Sequence, residues 1–127
     1  MWLINVHTKQ LESFEGNRIP LYMILSHRWE EEEVTFSDIK QGQGKHKKGY
    51  RKIDFTCKYT LEKGCEYCWI DTCCIDKSSS AELSEAINSM YNWYRNATNC
   101  CAYISDVHNK NLEDFAVSAW FTRGWTL

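Results

Sequence analysis

Runs of consecutive apolar residues mark the strands that this sequence predicts. Residues 21–26, 66–70 and 100–104 are short, mainly apolar and followed by polar residues. Uninterrupted apolar runs of this length are typical of strands that are buried on both faces, as in parallel sheets. Residues 1–6 predict a further short strand, and residues 7–19 predict a polar loop or a short hairpin arm.

Two longer stretches place apolar residues three to four positions apart, which is the spacing of one face of a helix. Residues 50–63 form the first predicted helix, and Gly64 suits the position just after its end. The second helix begins near Ser80, where Ser79 and Glu82 fit a capping box. Its predicted core-facing residues are Leu83, Ile87, Met90 or Tyr91, Tyr94 and Ala97. Residues 30–49 are charged and contain three glycines, so they predict a loop.

The order strand, helix, strand, helix, strand predicts an α/β fold with a mainly parallel central sheet and helices on its faces. Because the carboxyl ends of parallel strands lie at the same edge of a sheet, the polar residues after the three apolar runs should meet there. These residues are Ser26 with His27, Asp71 with Thr72, and Ser105 with Asp106. The sequence therefore predicts a ligand-binding rim at this edge.

Length and composition describe an ordinary globular protein. The chain has 127 residues, which predicts a single domain over residues 1–127. Its net charge of −2 gives no reason to expect nucleic acid as a partner. No apolar stretch approaches the ~20 residues that a membrane span needs, and the N-terminus has no basic leader. We therefore expect a soluble cytoplasmic protein without a membrane span.

Two charged runs stand out within the predicted loop and the start of the first helix. Glu30–Glu33 are acidic, and residues 45–52 carry five lysine and arginine residues. Such runs are usually solvated loop surface, but they also occur where a partner docks. Both interpretations remain open at this point.

Seven cysteines occur in a chain for which no secretion is expected, so free thiols are predicted. The single C-x-x-C pair is Cys65 with Cys68, and no second pair completes the four ligands that a structural zinc site needs. We therefore predict no metal site and expect buried, reduced cysteines, with a redox role as the alternative. Cys73 and Cys74 lie near the second helix but not at its start, which does not favour a cysteine nucleophile.

Four sequence blocks resemble the fungal heterokaryon incompatibility (HET) domain. They are Leu-Ser-His-Arg-Trp at 25–29, Trp-Ile-Asp-Thr-Cys-Cys-Ile-Asp-Lys at 69–77, the helix at 80–91, and Trp-Phe-Thr-Arg-Gly-Trp-Thr-Leu at 120–127. The blocks occur in the family's order and span nearly the whole chain. Their combination is far more specific than any one of them alone.

The resemblance implies a function in fungal non-self recognition, in which fusion of incompatible strains triggers cell death. HET domains are thought to be distant relatives of TIR domains, so it also implies a flavodoxin-like, TIR-like three-layer fold. Partners would be a second copy or another HET, TIR or NLR-type signalling protein. We expect signalling through self-association, with no cofactor required.

The alternative is a TIR-like NAD glycohydrolase, with NAD or a related nucleotide as ligand. TIR enzymes use a glutamate, and in other HET domains Gln and Glu follow the Trp-Thr-Leu that ends this chain at Leu127. The resemblance therefore predicts a fold that is incomplete at its C-terminus and a catalytic glutamate that lies beyond it.

The candidate catalytic residues are His27, Asp71 and Asp76. A carboxylate near the ribose stabilises the positive charge that develops when the glycosidic bond breaks, and a histidine can transfer a proton. Candidate ligand-binding residues add hydroxyl, cationic and aromatic groups to these three, since cations pair with a pyrophosphate and aromatic rings stack on a base. They are Ser26, Arg28, Trp29, Lys77, Arg123 and Trp125. For each residue, turn capping, backbone hydrogen bonding or core packing is the competing interpretation.

Overall fold

The computed structural model describes residues 1–103 of the chain. The predicted rim residues Ser105 and Asp106, and the predicted ligand-binding residues Arg123 and Trp125, lie outside this range. The described elements follow one another along the chain in this order: β1 (Trp2–Asn5), β2 (Leu11–Ser13), a 3₁₀ turn (Gly16–Arg18), β3 (Met23–His27), α1 (Phe36–Lys40), α2 (Tyr50–Glu62), β4 (Tyr67–Trp69), α3 (Ser80–Asn96) and β5 (Asn99–Tyr103).

The five strands form one mixed sheet in the order β2-β1-β4-β3-β5. Strand β3 pairs in parallel with β4 and with β5, whereas β1 is antiparallel to both β2 and β4. The α/β class is confirmed, but the prediction of a mainly parallel sheet is wrong. The reason lies in the connection between β1 and β2, which is too short for the crossover that parallel neighbours require and therefore folds as a hairpin.

The two long helices cover opposite faces of the sheet, which gives three layers. Adjacent residues of β4 reveal this, because successive side chains of a strand point to opposite faces. The Cys68 thiol contacts Cys57 of α2. The ring of Trp69 packs edge-on against Trp93 of α3, with centroids 5.6 Å apart. The chain thus crosses from β3 to β4 over one face and from β4 to β5 over the other.

These two crossovers run in opposite directions along the sheet. From β3 the chain moves sideways to β4, and it then returns past β3 to β5. In open α/β sheets such a reversal of strand order opens a crevice at the carboxyl ends of the two diverging strands. Here that position lies at His27 of β3 and Tyr103 of β5, which are partners in the sheet. The fold therefore places a cleft beside the predicted rim.

Helix α3 starts as predicted, and four of its predicted core-facing residues pack against the core as partly buried side chains: Leu83, Met90, Tyr94 and Ala97. Its only buried residue is Ala86. Ile87, which the spacing predicts to face the core, is 63% exposed, and Tyr91 is 76% exposed. Tyr94, which was predicted to face the core, packs on Trp69, and so does Trp93, which was not; their contacts fix the rotation of the helix. The predicted stripe is therefore wrong at Ile87.

The helix ends show a similar mixture of confirmation and correction. The Ser79 hydroxyl accepts a hydrogen bond from the Glu82 amide, so the predicted cap is present. The Glu82 carboxylate, however, accepts from the indole Nε1 of Trp2 at 3.0 Å instead of completing a capping box. A complete box occurs at Thr35 and Asp38, which begin α1 inside the predicted loop. Among the described residues, no helix has both the length and the apolar character to cross a membrane.

Candidate functional site

The centre of the candidate site is a buried pair at the carboxyl ends of β3 and β4. His27 is the last residue of β3 and is fully buried, and Asp71 follows β4 by two residues and is 4% exposed. His27 Nε2 lies 2.8 Å from Asp71 Oδ1. The parallel pairing of β3 with β4 thus brings together two of the three predicted rim positions. His27 is thus shielded from solvent, and Asp71 is almost completely shielded.

Lys52 of α2 completes this centre, although it is not among the candidate residues that the sequence predicts. Its side chain is buried, and its ammonium group lies 3.1 Å from His27 Nδ1. An ammonium group only donates and a carboxylate only accepts, so Nδ1 of His27 must accept and Nε2 must carry the hydrogen. The two neighbours therefore hold His27 as the neutral Nε2–H tautomer.

Lys52 also holds the acidic loop that follows β3. Its ammonium group donates to the Arg28 carbonyl oxygen at 2.9 Å and to Glu33 Oε2 at 2.5 Å, and it lies 3.2 Å from Glu30 Oε1. Glu33 Oε2 accepts in addition from the Glu30 amide at 2.8 Å. The buried cation is therefore paired with a nearly buried carboxylate, as a buried charge requires.

Gly49 permits this close approach of helix and loop. Its amide donates to the Glu32 carbonyl oxygen at 3.0 Å. A Cβ atom at position 49 would lie 2.7 Å from that oxygen and 2.9 Å from the Cα of Glu33. Only glycine fits here without moving the backbone that carries the carboxylate partner of Lys52.

Trp29 covers the buried pair from the solvent side. Its indole Nε1 donates to Asp71 Oδ2 at 2.9 Å, and its side chain is about half exposed. The Lys77 ammonium group lies 4.7 Å from the indole ring and donates to the Asp71 carbonyl oxygen at 2.7 Å. Desolvation of this group lowers the pKa of Lys77, and the nearby Asp71 carboxylate opposes the shift.

The remaining predicted residues within the described range are Asp76, Ser26 and Arg28. Asp76 accepts from the amide and the hydroxyl of Ser78 at 3.1 and 2.5 Å, so it forms the polar turn that was its competing interpretation. Ser26 is buried in β3. Arg28 is exposed and has no ion pair among residues 1–103.

A cleft of about 650 Å³ lies at the junction of β3 and β5, where the strand order reverses. Its walls combine cations, carboxylates and two aromatic rings. They comprise Arg28, Trp29, Glu30, Glu31, Glu33, Lys48, Gly49, Arg51, Lys52 and Tyr103. Trp29 also lines a second, more apolar cleft of about 390 Å³ that contains Asp76 and Lys77. The buried pair lines neither cleft. It is linked to both by Trp29, which lines each of them and donates a hydrogen bond to Asp71.

The cysteines are described by their burial and by the pKa values of their thiols. Six of the seven are buried, which confirms the prediction for them, whereas Cys100 is exposed and departs from it. A hydrogen bond that the Cys68 thiol donates to Cys57, together with burial, raises the pKa of Cys68 well above its usual range. Cys74 and burial do the same for Cys73. Thiols with raised pKa values are poor nucleophiles. Within residues 1–103, no group of three or more His, Cys, Asp and Glu side chains is arranged to hold a metal ion.

Comparison with known proteins decides the family. A family model described as "Heterokaryon incompatibility protein (HET)" matches residues 22–114, which begin just before β3 and include His27, Lys52 and Asp71. The chain belongs to the heterokaryon incompatibility family. The resemblance found in the four sequence blocks is thereby confirmed, and the hairpin of β1 and β2 lies outside the matched region.

A curated relative supports the same assignment to the HET family. Vegetative incompatibility protein HET-E-1 of Podospora anserina is 47% identical to this HET domain over 131 residues, which cover 94% of the chain. The match spans 9% of the length of that relative. No solved structure matches the chain.

Proposed function

We propose that this HET domain is a cytoplasmic signalling module of fungal non-self recognition, and that it signals by associating with a second copy of itself. The observation that carries the proposal is the 47% identity to a vegetative incompatibility protein over 94% of the chain. Another HET, TIR or NLR-type signalling protein is the alternative partner.

The geometry of the site favours a binding surface over an open catalytic centre. His27 is fully buried and Asp71 is 4% exposed, so this conformation offers neither side chain to a ligand in the two clefts. Both instead fix the loops that follow β3 and β4, through Lys52 and Trp29. A charged surface held on a rigid buried network is suited to recognition, because little order has to be gained on binding.

Two measurements test this function. Size-exclusion chromatography with light scattering, over a wide range of concentrations, reports whether the purified chain self-associates. Expression of the domain in fungal cells, with viability as the readout, reports whether it triggers cell death. We expect association that rises with concentration and loss of viability. A strict monomer at the highest concentration, together with full viability, would overturn the proposal.

A second function, NAD glycohydrolase activity, is favoured by one specific observation. The cleft at the junction of β3 and β5 combines two aromatic rings, Trp29 and Tyr103, with the cations Arg28, Lys48 and Arg51. Aromatic rings and cations are the groups that bind bases and phosphates. The parallel strands also follow the order β4-β3-β5, which corresponds to the first three strands of a flavodoxin-like sheet and supports a TIR-like fold.

Release of nicotinamide tests the second function. In the proposed reaction water replaces nicotinamide at the ribose carbon of NAD and yields ADP-ribose. The assay is run on this chain and on the full protein that its gene encodes. Arg28→Ala should then lower the rate, whereas Lys58→Ala on the exposed side of α2 should not. No release by either protein would rule the activity out.

A further inference from the structure

The walls of the β3–β5 cleft carry opposite charges that find no ion-pair partner among residues 1–103. Glu31 is exposed on the acidic loop, and Arg28, Lys48 and Arg51 are exposed around it. None of these four side chains forms an ion pair within residues 1–103. Lys52, in contrast, is saturated by Glu33 and Glu30. A partner that offers cations and carboxylates together would complement this surface.

The same surface contains the residue types that dominate protein interfaces. Trp29 is 49% exposed and Tyr103 is partly buried, and both line the cleft with Arg28 and Arg51. Tryptophan, tyrosine and arginine are the residues that most often carry the binding energy of an interface. They are surrounded here by charged groups, which is the usual arrangement of an apolar centre and a polar rim.

The loop that bears the acidic residues is also held rigidly. Lys52 fixes Glu33 and the Arg28 carbonyl oxygen, and the Gly49 amide fixes the Glu32 carbonyl oxygen. Glu31 therefore projects from a loop that is attached on both sides of it. A charge that is already positioned loses little conformational freedom when it pairs with a partner.

We propose that this cleft is the surface through which two copies of the domain associate, related by a two-fold axis. In such a contact both copies use the same surface patch. Every contact between two different residues therefore occurs two times, once in each direction across the axis. The acidic loop of one copy then lies in the cleft of the other, with Glu31 opposite Arg51 and Arg51 opposite Glu31. The proposal rests on the self-association proposed above and specifies where it occurs.

A charge-swap experiment tests the two-fold contact. Glu31→Lys and Arg51→Glu are purified separately, and their self-association is measured by light scattering and sedimentation. Each variant places like charges opposite each other at two positions, so we expect its association to be weaker by about tenfold or more. An equal mixture restores opposite charges at both positions and should associate like the unmodified domain. Raising the salt concentration should weaken the association of the unmodified domain as well, since exposed charges are screened.

Glu62→Lys and Lys58→Glu serve as matched controls, because both residues are exposed on α2 and lie outside the cleft. They should associate like the unmodified domain, and circular dichroism should show that all four variants are folded. If both cleft variants associate as strongly as the unmodified domain, the cleft is not the contact surface, and the proposed self-association is unaffected. Weakening without rescue in the mixture would overturn the second copy as the occupant. A strictly monomeric unmodified domain would overturn the self-association itself.

Discussion

The helices α2 and α3 cover opposite faces of one sheet, yet they meet the core in different ways. Helix α2 has 13 residues and buries five of them. Four of these carry polar or thiol groups: Lys52, Thr56, Cys57 and Thr60. Helix α3 has 17 residues and buries only Ala86 among those described. The longer helix is thus the less buried of the two.

Satisfaction of hydrogen bonds within the helix explains how α2 tolerates burial. The Thr56 hydroxyl donates to the Lys52 carbonyl oxygen at 2.7 Å, and the Thr60 hydroxyl donates to the Thr56 carbonyl oxygen at 2.6 Å. Small side chains whose hydroxyls bond within their own helix allow the backbone to approach the sheet closely. Helix α3 instead contacts the sheet through the long aromatic side chains of Trp93 and Tyr94. Because α2 packs closely on the sheet, its Lys52 ammonium group reaches His27.

Removal of the buried charge should have the largest effect. Lys52→Met leaves Glu33 without its cation and His27 Nδ1 without a donor. Breaking a buried ion pair from one side costs about 3–5 kcal/mol of unfolding free energy. Urea denaturation followed by circular dichroism measures this loss.

Lys58→Met in the same helix is the control for Lys52→Met. Lys58 is exposed, so its replacement should change the unfolding free energy by no more than about 0.5 kcal/mol. Equal effects of the two substitutions would show that Lys52 is not the buried anchor described here.

Crowding at the start of α2 should have the next largest effect. Gly49→Ala places a Cβ atom 2.7 Å from the Glu32 carbonyl oxygen. We expect a loss of about 1–3 kcal/mol, because the loop must move and the overpacking exceeds the gain from a stiffer unfolded chain. Denaturation measures the stability. An unchanged or higher stability would mean that the loop does not lie against the helix.

Enlargement of the single buried residue of α3 tests the orientation of that helix. Ala86 is 2% exposed, so Ala86→Leu should overpack the interface with the sheet and cost about 1–3 kcal/mol. Thermal denaturation followed by tryptophan fluorescence measures the change, since Trp69 and Trp93 lie at this interface. A stabilised variant would indicate that Ala86 faces solvent or a void.

The neighbouring residue of α3 should show the smallest effect. Ile87 is 63% exposed, so Ile87→Ser should change the unfolding free energy by about 0.5 kcal/mol or less. The same denaturation experiment measures both α3 variants. A loss of about 2 kcal/mol or more would restore the apolar stripe that the spacing predicts as the buried face.

Several elements were predictable because their signals are local. The apolar runs located β3, β4 and β5, and the helical spacing located α2 to within one residue of its observed end at Glu62. Ser79 was recognised as a cap from its position before an apolar repeat. The short helix α1 was missed, although Thr35 and Asp38 show the spacing of a capping box that could have identified it.

The site was predictable in part. The signal that His27 and Asp71 meet was their position after two apolar runs, and the parallel pairing of β3 with β4 confirmed it. Lys52 gave no such signal, since lysine within a helix is usually exposed. Only its place four residues before Thr56, on the buried side of α2, distinguishes it from the other lysines of that region.

The sequence alone determined the family resemblance, the α/β class and the two strands that end at or just before His27 and Asp71, because these follow from motifs and from spacings within a few residues. The tertiary structure alone decided the mixed sheet, the rotation of α3 and the burial of Lys52. The partners of that lysine lie 25 residues away at His27 and 19 residues away at Glu33. A buried charge is stable only where such distant groups converge, and no local pattern encodes their convergence.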